Sequence, residues 1–315
     1  MRVTNRMLTE SVINTINTNF SRLGKYQKQL ASGERINRPS DDPVATARLL
    51  AAKSELKAQE QYRQNMQDAV GWLDTTDGAL ELAGDVLQRA RELAVYGSNG
   101  TLPEQSMVAL SNEVNELIEE MVGIGNTNYA GRYIFGGSKT TAPPFKITGR
   151  DNNSINEVQF IDESFNESLL DKTYSLQFEV ETGVVMDIAG GGLTFHTNAG
   201  GSPEVNVVFN VMIGLRQSLE AGNKNEVGAS IGKIDKLIDN ILSERAITGA
   251  KSKRLTSLQE RSSTYELHLN TLIGRLGYVE YEEAAINYSA QETVYQAALA
   301  TGAKVIQPSL IDFLK

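Results

Sequence analysis

The sequence contains no cysteine, which excludes disulfide bonds, thiolate zinc sites and cysteine nucleophiles. Its only two histidines, His196 and His268, are too isolated to form a paired-histidine metal motif. No stretch approaches the roughly 20 apolar residues that cross a bilayer, so we expect no membrane span. The segment from Met1 to Arg6 lacks the apolar core of a cleavable signal, and an exported chain of this kind needs another route.

Basic residues are fewer than acidic residues in this sequence. The chain has 30 Lys and Arg against 39 Asp and Glu, which gives a net charge of −9. Since a phosphate-binding surface normally shows a basic excess, we expect no nucleic-acid partner. Hydrophobic residues make up 40% and charged residues 22% of the 315 positions, a composition typical of a folded protein.

Candidate catalytic residues are also scarce. The pair Asp41-Asp42 lies in a Pro-Ser-Asp-Asp-Pro sequence, which indicates a helix cap rather than a metal site. Adjacent carboxylates such as Glu119-Glu120 point about 100° apart on a helix and make poor chelates. Gly190-Gly191-Gly192 lacks the lysine of a phosphate-binding loop. We therefore predict no catalytic residue, no cofactor and no metal, and a protein that is not an enzyme.

Helical periodicity is strongest near the two ends of the chain. Apolar residues there recur at three- and four-residue steps, as in coiled-coil seams. The seam residues are Ile13, Ile16, Phe20, Leu23 and Leu30 near one end, and Leu255, Leu258, Tyr265, Leu269, Leu272, Leu276, Val279 and Ile286 near the other. Residues 1–38 carry seven basic and two acidic side chains, and residues 278–315 carry two basic and five acidic ones. These opposite charges favour pairing of the two ends.

Start and stop signals predict long helices between these ends. Asp42 before Pro43 is typical of an N-cap with proline in the first turn, and the apolar repeat that follows continues to Gly97. A helix over 43–97 extends roughly 80 Å, more than the roughly 50 Å diameter of a compact globule of this length. The pattern therefore predicts a rod, unless the helix breaks near Gly71.

The central segment, about residues 130 to 205, has a different pattern. Short apolar alternations separated by Gly, Thr and Asn indicate antiparallel strands there, including one near Leu193-Thr194-Phe195, and helical periodicity resumes at Asn206. The predicted fold class is mainly α with a β-rich insertion. We expect an elongated rod of long coiled-coil helices with its N- and C-terminal segments paired.

Three motifs resemble those of a known family. They are LASGERINRPSDDPVA at residues 30–45, NYAGRYIFGG at residues 128–137 and PSLIDFL at residues 308–314. The first resembles the N-terminal signature of the bacterial flagellin superfamily, and its Arg-Pro-Ser-Asp-Asp-Pro form is similar to that of the hook-associated protein 3 family. That family joins the flagellar hook to the filament.

The resemblance implies three domains. Residues 1–40 and 276–315 would form an inner coiled-coil domain, residues 41–140 and 206–275 a helical rod domain, and residues 141–205 an outward-facing β-rich insertion. The motif residues have structural roles in capping helices and reversing the chain. The predicted cap and turn residues are Gly33, Asp41, Asp42, Pro43, Gly131, Gly136 and Gly137.

The implied function is that of a structural adaptor of the flagellum, needed for filament attachment and motility. It would assemble with copies of itself as a ring at the hook-filament junction and connect a hook-side junction protein to flagellin. The resemblance also implies flagellar type III export to the cell exterior and a cytoplasmic chaperone that binds the C-terminal region. The predicted assembly residues are Ile13, Ile16, Phe20, Leu23, Leu30, Leu276, Val279, Ile286, Val294, Leu310, Phe313 and Leu314. The alternatives are a flagellin that forms the filament itself, a surface adhesin acting through the insertion, and an enzyme within the insertion.

Overall fold

The computed structural model describes residues 5–137, 140–151, 154–160, 176–188 and 207–306. Helices dominate these ranges: α1 (Asn5–Ser32), α2 (Pro43–Gly97), α3 (Glu104–Gly125), α4 (Val207–Glu220), α5 (Lys224–Gly277) and α6 (Tyr281–Ile306). The strands form antiparallel pairs: β1 (Asn128–Tyr129) with β2 (Arg132–Tyr133), β3 (Phe145–Asp151) with β4 (Ser154–Phe160), and β5 (Gln177–Glu181) with β6 (Val184–Asp187).

This architecture confirms the predicted fold class. The helices flank a short β-rich segment, and α1 packs against α6, so the N- and C-terminal segments are paired as expected. The predicted strand at residues 193–195 lies outside the described residues. The chain forms two compact units: a terminal unit of residues 1–59 with 263–315, and a central unit of residues 60–262. The division into three domains stays a prediction.

The helix boundaries follow the capping chemistry of the sequence. Gly33, immediately after α1, adopts a φ of +70°, the left-handed conformation of a helix C-cap. The Ala45 amide donates to Asp42 Oδ1 at 2.9 Å, and Pro43 is the first residue of α2. The Arg38 amide donates to Asp41 Oδ2 at 3.1 Å, which stabilises the turn before this cap.

The core of the central unit joins its helices to the first two longer strands. Phe209 on α4 is fully buried, and its ring centroid lies 5.0 Å from that of Phe145 on β3. Phe145 also lies edge-on to Phe160 of the paired strand β4. Gly125 ends α3 directly below this cluster, where a Cβ atom would lie 2.6 Å from the Phe145 ring. The apolar residues of the β-rich segment therefore contribute to the same core as the helices.

The hairpin of β1 and β2 is held against α2. Ala130 and Gly131 form its two-residue turn with φ values of 50° and 83°, as a type I′ turn requires. Tyr129 lies edge-on to Trp72, with ring centroids 6.1 Å apart. A Cβ atom at Gly71 would lie 2.2 Å from the Tyr129 hydroxyl oxygen, so only glycine at 71 permits this close approach. Beyond the hairpin, Gly136 and Gly137 lie outside helices and strands, and Gly137 has a φ of 59°.

Polar side chains fasten the other strand pairs to the helices of the central unit. The Asn126 amide donates to the Phe145 carbonyl and accepts from the Phe145 N–H, each at 2.9 Å. Asn65 on α2 donates to the carbonyl of Glu179 on β5 at 2.8 Å, and Arg261 on α5 pairs with Glu181. The Asn126 and Asn65 contacts give backbone groups of β3 and β5 a hydrogen-bond partner, whereas the Arg261–Glu181 contact joins two side chains.

Ion pairs join α2 and α5 within the central unit. Arg245 on α5 donates to Asp77 on α2 at 3.0 Å and also pairs with Glu81 at 3.3 Å. The hydrogen bond with Asp77 raises the pKa of Arg245 above its ordinary value. Arg91 and Asp235 form a second pair between the same helices. Later residues of α2 meet earlier residues of α5, so these helices run antiparallel.

Candidate assembly surface

The terminal unit contains an antiparallel pair formed by α1 and α6. A Cβ atom at Gly302, near the end of α6, would lie 3.0 Å from side-chain carbons of both Val12 and Ile16. Further along, Gln291 Nε2 donates to Asn19 Oδ1 at 3.3 Å. Residues later in α1 thus contact residues earlier in α6, so the two helices run antiparallel. The N- and C-terminal segments of the chain form a pair of antiparallel helices.

Buried and half-buried positions on both helices recur at alternating four- and three-residue steps. This is the spacing of a coiled-coil seam. The seam positions are Val12, Ile16, Asn19, Leu23, Tyr26 and Leu30 on α1, and Ala284, Tyr288, Gln291, Tyr295, Ala298 and Gly302 on α6. Small residues on α6 allow close approach, and the Asn19–Gln291 pair places two amides within the seam.

An apolar patch lies beside this seam. We define the apolar patch as Ile13, Phe20 and Leu299 together with Tyr295, a half-buried seam residue that borders it. The Phe20 ring lies 5.8 Å from the Tyr295 ring, yet Phe20 remains 62% exposed. Ile13, two turns before Phe20, is 45% exposed, and Leu299, one turn after Tyr295, is 42% exposed. Large exposed apolar side chains on one side of a helix pair make this patch a candidate interaction surface.

The predicted assembly residues divide between these two surfaces and other positions. Ile16, Leu23 and Leu30 lie in the seam, and Ile13 and Phe20 lie in the apolar patch. On α6, Ile286 and Val294 are 69% and 49% exposed and lie outside the seam. The half-buried Leu276 and Val279 lie where α5 gives way to α6. Leu310, Phe313 and Leu314 lie outside the described residues, and the role of all twelve side chains in assembly stays a prediction.

Sequence reasoning did not identify the polar and small members of the seam. Asn19, Gln291 and Gly302 are not large apolar residues, so hydrophobic periodicity does not identify them as seam positions. The four-three spacing itself, traced through Ala284, Ala298 and Gly302, is the signal that could have located the contact face of α6.

Two loops connect this helix pair to α2 and α5, and they are bonded to each other. Glu34, after α1, forms an isolated antiparallel bridge with Tyr278, after α5. We call the hydrogen-bonded contact between residues 33–35 and 276–279 the loop clasp. It joins the first signature motif, residues 30–45, to the end of α5.

Two other kinds of feature were sought among the described residues. Among them, no cluster of three or more His, Asp and Glu side chains could hold a metal ion. None of the described helices is long and apolar enough to cross a membrane. His196 and Gly190-Gly191-Gly192, which were considered from the sequence, lie outside this part of the chain.

Comparisons with known proteins show which protein families this chain resembles. Residues 3–140 match the family described as the bacterial flagellin N-terminal helical region. This match covers α1, α2, α3 and the β1–β2 hairpin, and thus two of the three motifs noted in the sequence. This part of the chain is therefore similar to the N-terminal helical region of bacterial flagellins.

The similarity extends along the whole chain. It is 24% identical over 310 residues to Flagellar hook-associated protein 3 of Salmonella typhimurium, covering 96% of both chains. It is 25% identical over 312 residues to a flagellin of Bacillus subtilis, covering 98% of this chain and 97% of that one. A solved structure described as a flagellar hook-associated protein from Vibrio parahaemolyticus shares its fold, with a TM-score of 0.63, 22% identity, and coverage of 76% of this chain and all of that one. The resemblance to hook-associated protein 3 within the flagellin superfamily is confirmed.

Proposed function

We propose that this protein is a non-enzymatic structural adaptor of the bacterial flagellum, located at the hook-filament junction outside the cell. It assembles with copies of itself as a ring and connects a hook-side junction protein to flagellin. The observation that carries the proposal is the antiparallel α1–α6 pair with an apolar patch left open beside its seam. Full-length similarity to hook-associated protein 3 supports the position at the junction.

The exposed surface of the helix pair is suited to contact between copies. Burial of the apolar patch against a neighbour releases water from several large side chains, which favours association. The exposed charges of the two helices are complementary: Lys25 and Lys28 on α1 are basic, whereas Glu282 and Glu283 on α6 are acidic. Copies placed side by side bring different faces together, and such heterologous contacts close into a ring when the rotation between copies permits.

The proposed function includes the route by which the protein reaches the junction. The chain is exported unfolded through the flagellar type III apparatus, and the absence of cysteine prevents cross-linking during that passage. A cytoplasmic chaperone binds the C-terminal region before export. In the assembled state residues 1–40 and 276–315 lie innermost, and the insertion at residues 141–205 faces outward.

The similarity to a flagellin favours one other function, that of the filament subunit itself. Deletion of the gene separates the two. For an adaptor, imaging shows intact hooks without filaments, and flagellin accumulates in the medium. For a filament subunit, the deletion removes the flagellin itself, so none is shed; that outcome would contradict the adaptor proposal.

The double substitution Ile13→Ser with Phe20→Ser tests the apolar patch directly. Both side chains are largely exposed, so we expect the free energy of unfolding of the isolated chain to fall by only about 1 kcal/mol or less. Incorporation at the junction should fall at least about tenfold, because the apolar area available for burial between copies is lost. The measurement is immunogold labelling of hooks from cells that carry the variant.

The matched control is Leu82→Ser with Val185→Ser. These side chains are 54% and 55% exposed and belong to the central unit, whereas the apolar patch belongs to the terminal unit. This variant should label hooks as strongly as the unmodified protein. Equal labelling by both variants would show that the apolar patch takes no part in assembly.

A further inference from the structure

The loop clasp joins the two connections that link the terminal helix pair to α2 and α5. Residues 33–42 connect α1 to α2, and residues 278–280 connect α5 to α6. Two backbone hydrogen bonds join these loops: the Arg35 N–H donates to the Gly277 carbonyl at 2.7 Å, and the Val279 N–H donates to the Gly33 carbonyl at 3.0 Å. The loops therefore do not act as independent linkers.

The Arg35 side chain adds a second connection to the end of α5. Its Nε and Nη2 atoms both donate to the Leu276 carbonyl, at 3.0 and 2.9 Å. The last carbonyls of a helix lack partners within the helix and carry partial negative charge, so a guanidinium is suited to this position. One side chain following α1 thus caps the C-terminus of α5.

The clasp is also fixed to both terminal helices. Gln29, in the last turn of α1 and only 7% exposed, donates from Nε2 to the Arg35 carbonyl at 2.7 Å. Tyr281, the first residue of α6, places its hydroxyl against Gly33, where a Cβ atom would lie 2.7 Å away. The end of α1 and the start of α6 therefore meet at the same small cluster of backbone groups.

We infer that the loop clasp unites the two connections into one hinge, with Arg35 as the residue that couples the order of α6 to the order of α1. While the clasp is closed, neither helix can leave the seam without disrupting the backbone that positions the other. When it opens, both helices lose their shared anchor at once. This device belongs to the fold of the single chain and does not depend on the proposed flagellar role.

Hydrogen exchange of the full-length protein tests this inference with Arg35→Ala. Because the lost bonds are charge-assisted but exposed, we expect amide exchange to accelerate by about three- to tenfold. The acceleration should appear in both α1 and α6, and by similar factors. Exchange in α3 and α4, within the central unit, should stay unchanged.

Two further variants make the result decisive. Arg48→Ala removes an exposed arginine from α2 and should leave exchange in α1 and α6 unaltered. Arg35→Lys keeps the positive charge but lacks the forked donors, so it should show a smaller acceleration in the same two helices. Acceleration confined to residues 33–38, acceleration of α1 without α6, or a uniform increase along the whole chain would each overturn the coupling.

Discussion

Replacement of Leu23 by aspartate is expected to abolish incorporation at the junction while the central unit stays folded. Leu23 lies one turn after Asn19 on the face of α1 that contacts α6. The substitution removes apolar burial and places a carboxylate in the seam, at a cost of about 2 kcal/mol or more to the helix pair. Incorporation is measured by immunogold labelling of hooks, and the fold of the central unit by limited proteolysis.

Ser21→Asp is the matched control for this substitution. It adds the same charge to α1 two residues earlier, at an exposed position outside the seam. We expect Ser21→Asp to support normal filament attachment. If the Leu23 variant also attached filaments normally, the seam would have no role in assembly, and the proposed function of the terminal helices would be wrong.

Phe209→Ala is expected to destabilise the central unit by about 3–5 kcal/mol. Phe209 is fully buried on α4, and its ring contacts Phe145 where β3 meets the helices. The truncation leaves a cavity that the surrounding side chains cannot fill without moving the strand. Urea unfolding followed by the emission of Trp72, which is buried in this unit, gives the free energy of unfolding of the central unit.

Val185→Ala is the control for that measurement. Val185 lies on β6 in the same unit and is 55% exposed, so its truncation should change the free energy of unfolding by less than about 0.5 kcal/mol. A loss of less than about 1 kcal/mol for Phe209→Ala would show that the aromatic cluster does not hold the strands to the helices.

Helix ends were predictable because their signals are local. Asp42 and Pro43 define the start of α2 through chemistry within a few residues, and Gly33 ends α1 through its own backbone conformation. The continuity of α2 from Pro43 to Gly97 likewise follows from a sustained apolar repeat.

The contact faces of α1 and α6 were only partly predictable. Hydrophobic periodicity correctly indicated that the two ends pair, but it grouped Ile13 and Phe20 with Ile16 and Leu23, although the first two lie beside the seam. A row of apolar residues at seven-residue spacing has the same periodicity whichever face of the helix it occupies. The partner helix decides which face is covered, and the seam positions of α6 are alanine, glycine, tyrosine and glutamine.

Long-range contacts in the central unit left no local signal. Nothing near Gly71 indicates that Tyr129 packs against it, because the two are distant in the chain and meet only after the hairpin docks on α2. The paired hydrogen bonds between Asn126 and Phe145 have the same origin. Alternation predicted strands in this region, whereas their attachment to the helices depends on tertiary packing.

The position of Trp72 has a practical consequence. It is the only tryptophan in the chain, and it is buried in the central unit beside Tyr129. Tryptophan fluorescence therefore monitors the central unit alone. Unfolding of the terminal helices should not change this fluorescence. If α1 and α6 separate before the central unit unfolds, melting curves recorded by tryptophan fluorescence and by circular dichroism should differ. The difference between the two curves provides a label-free assay of fraying at the chain ends.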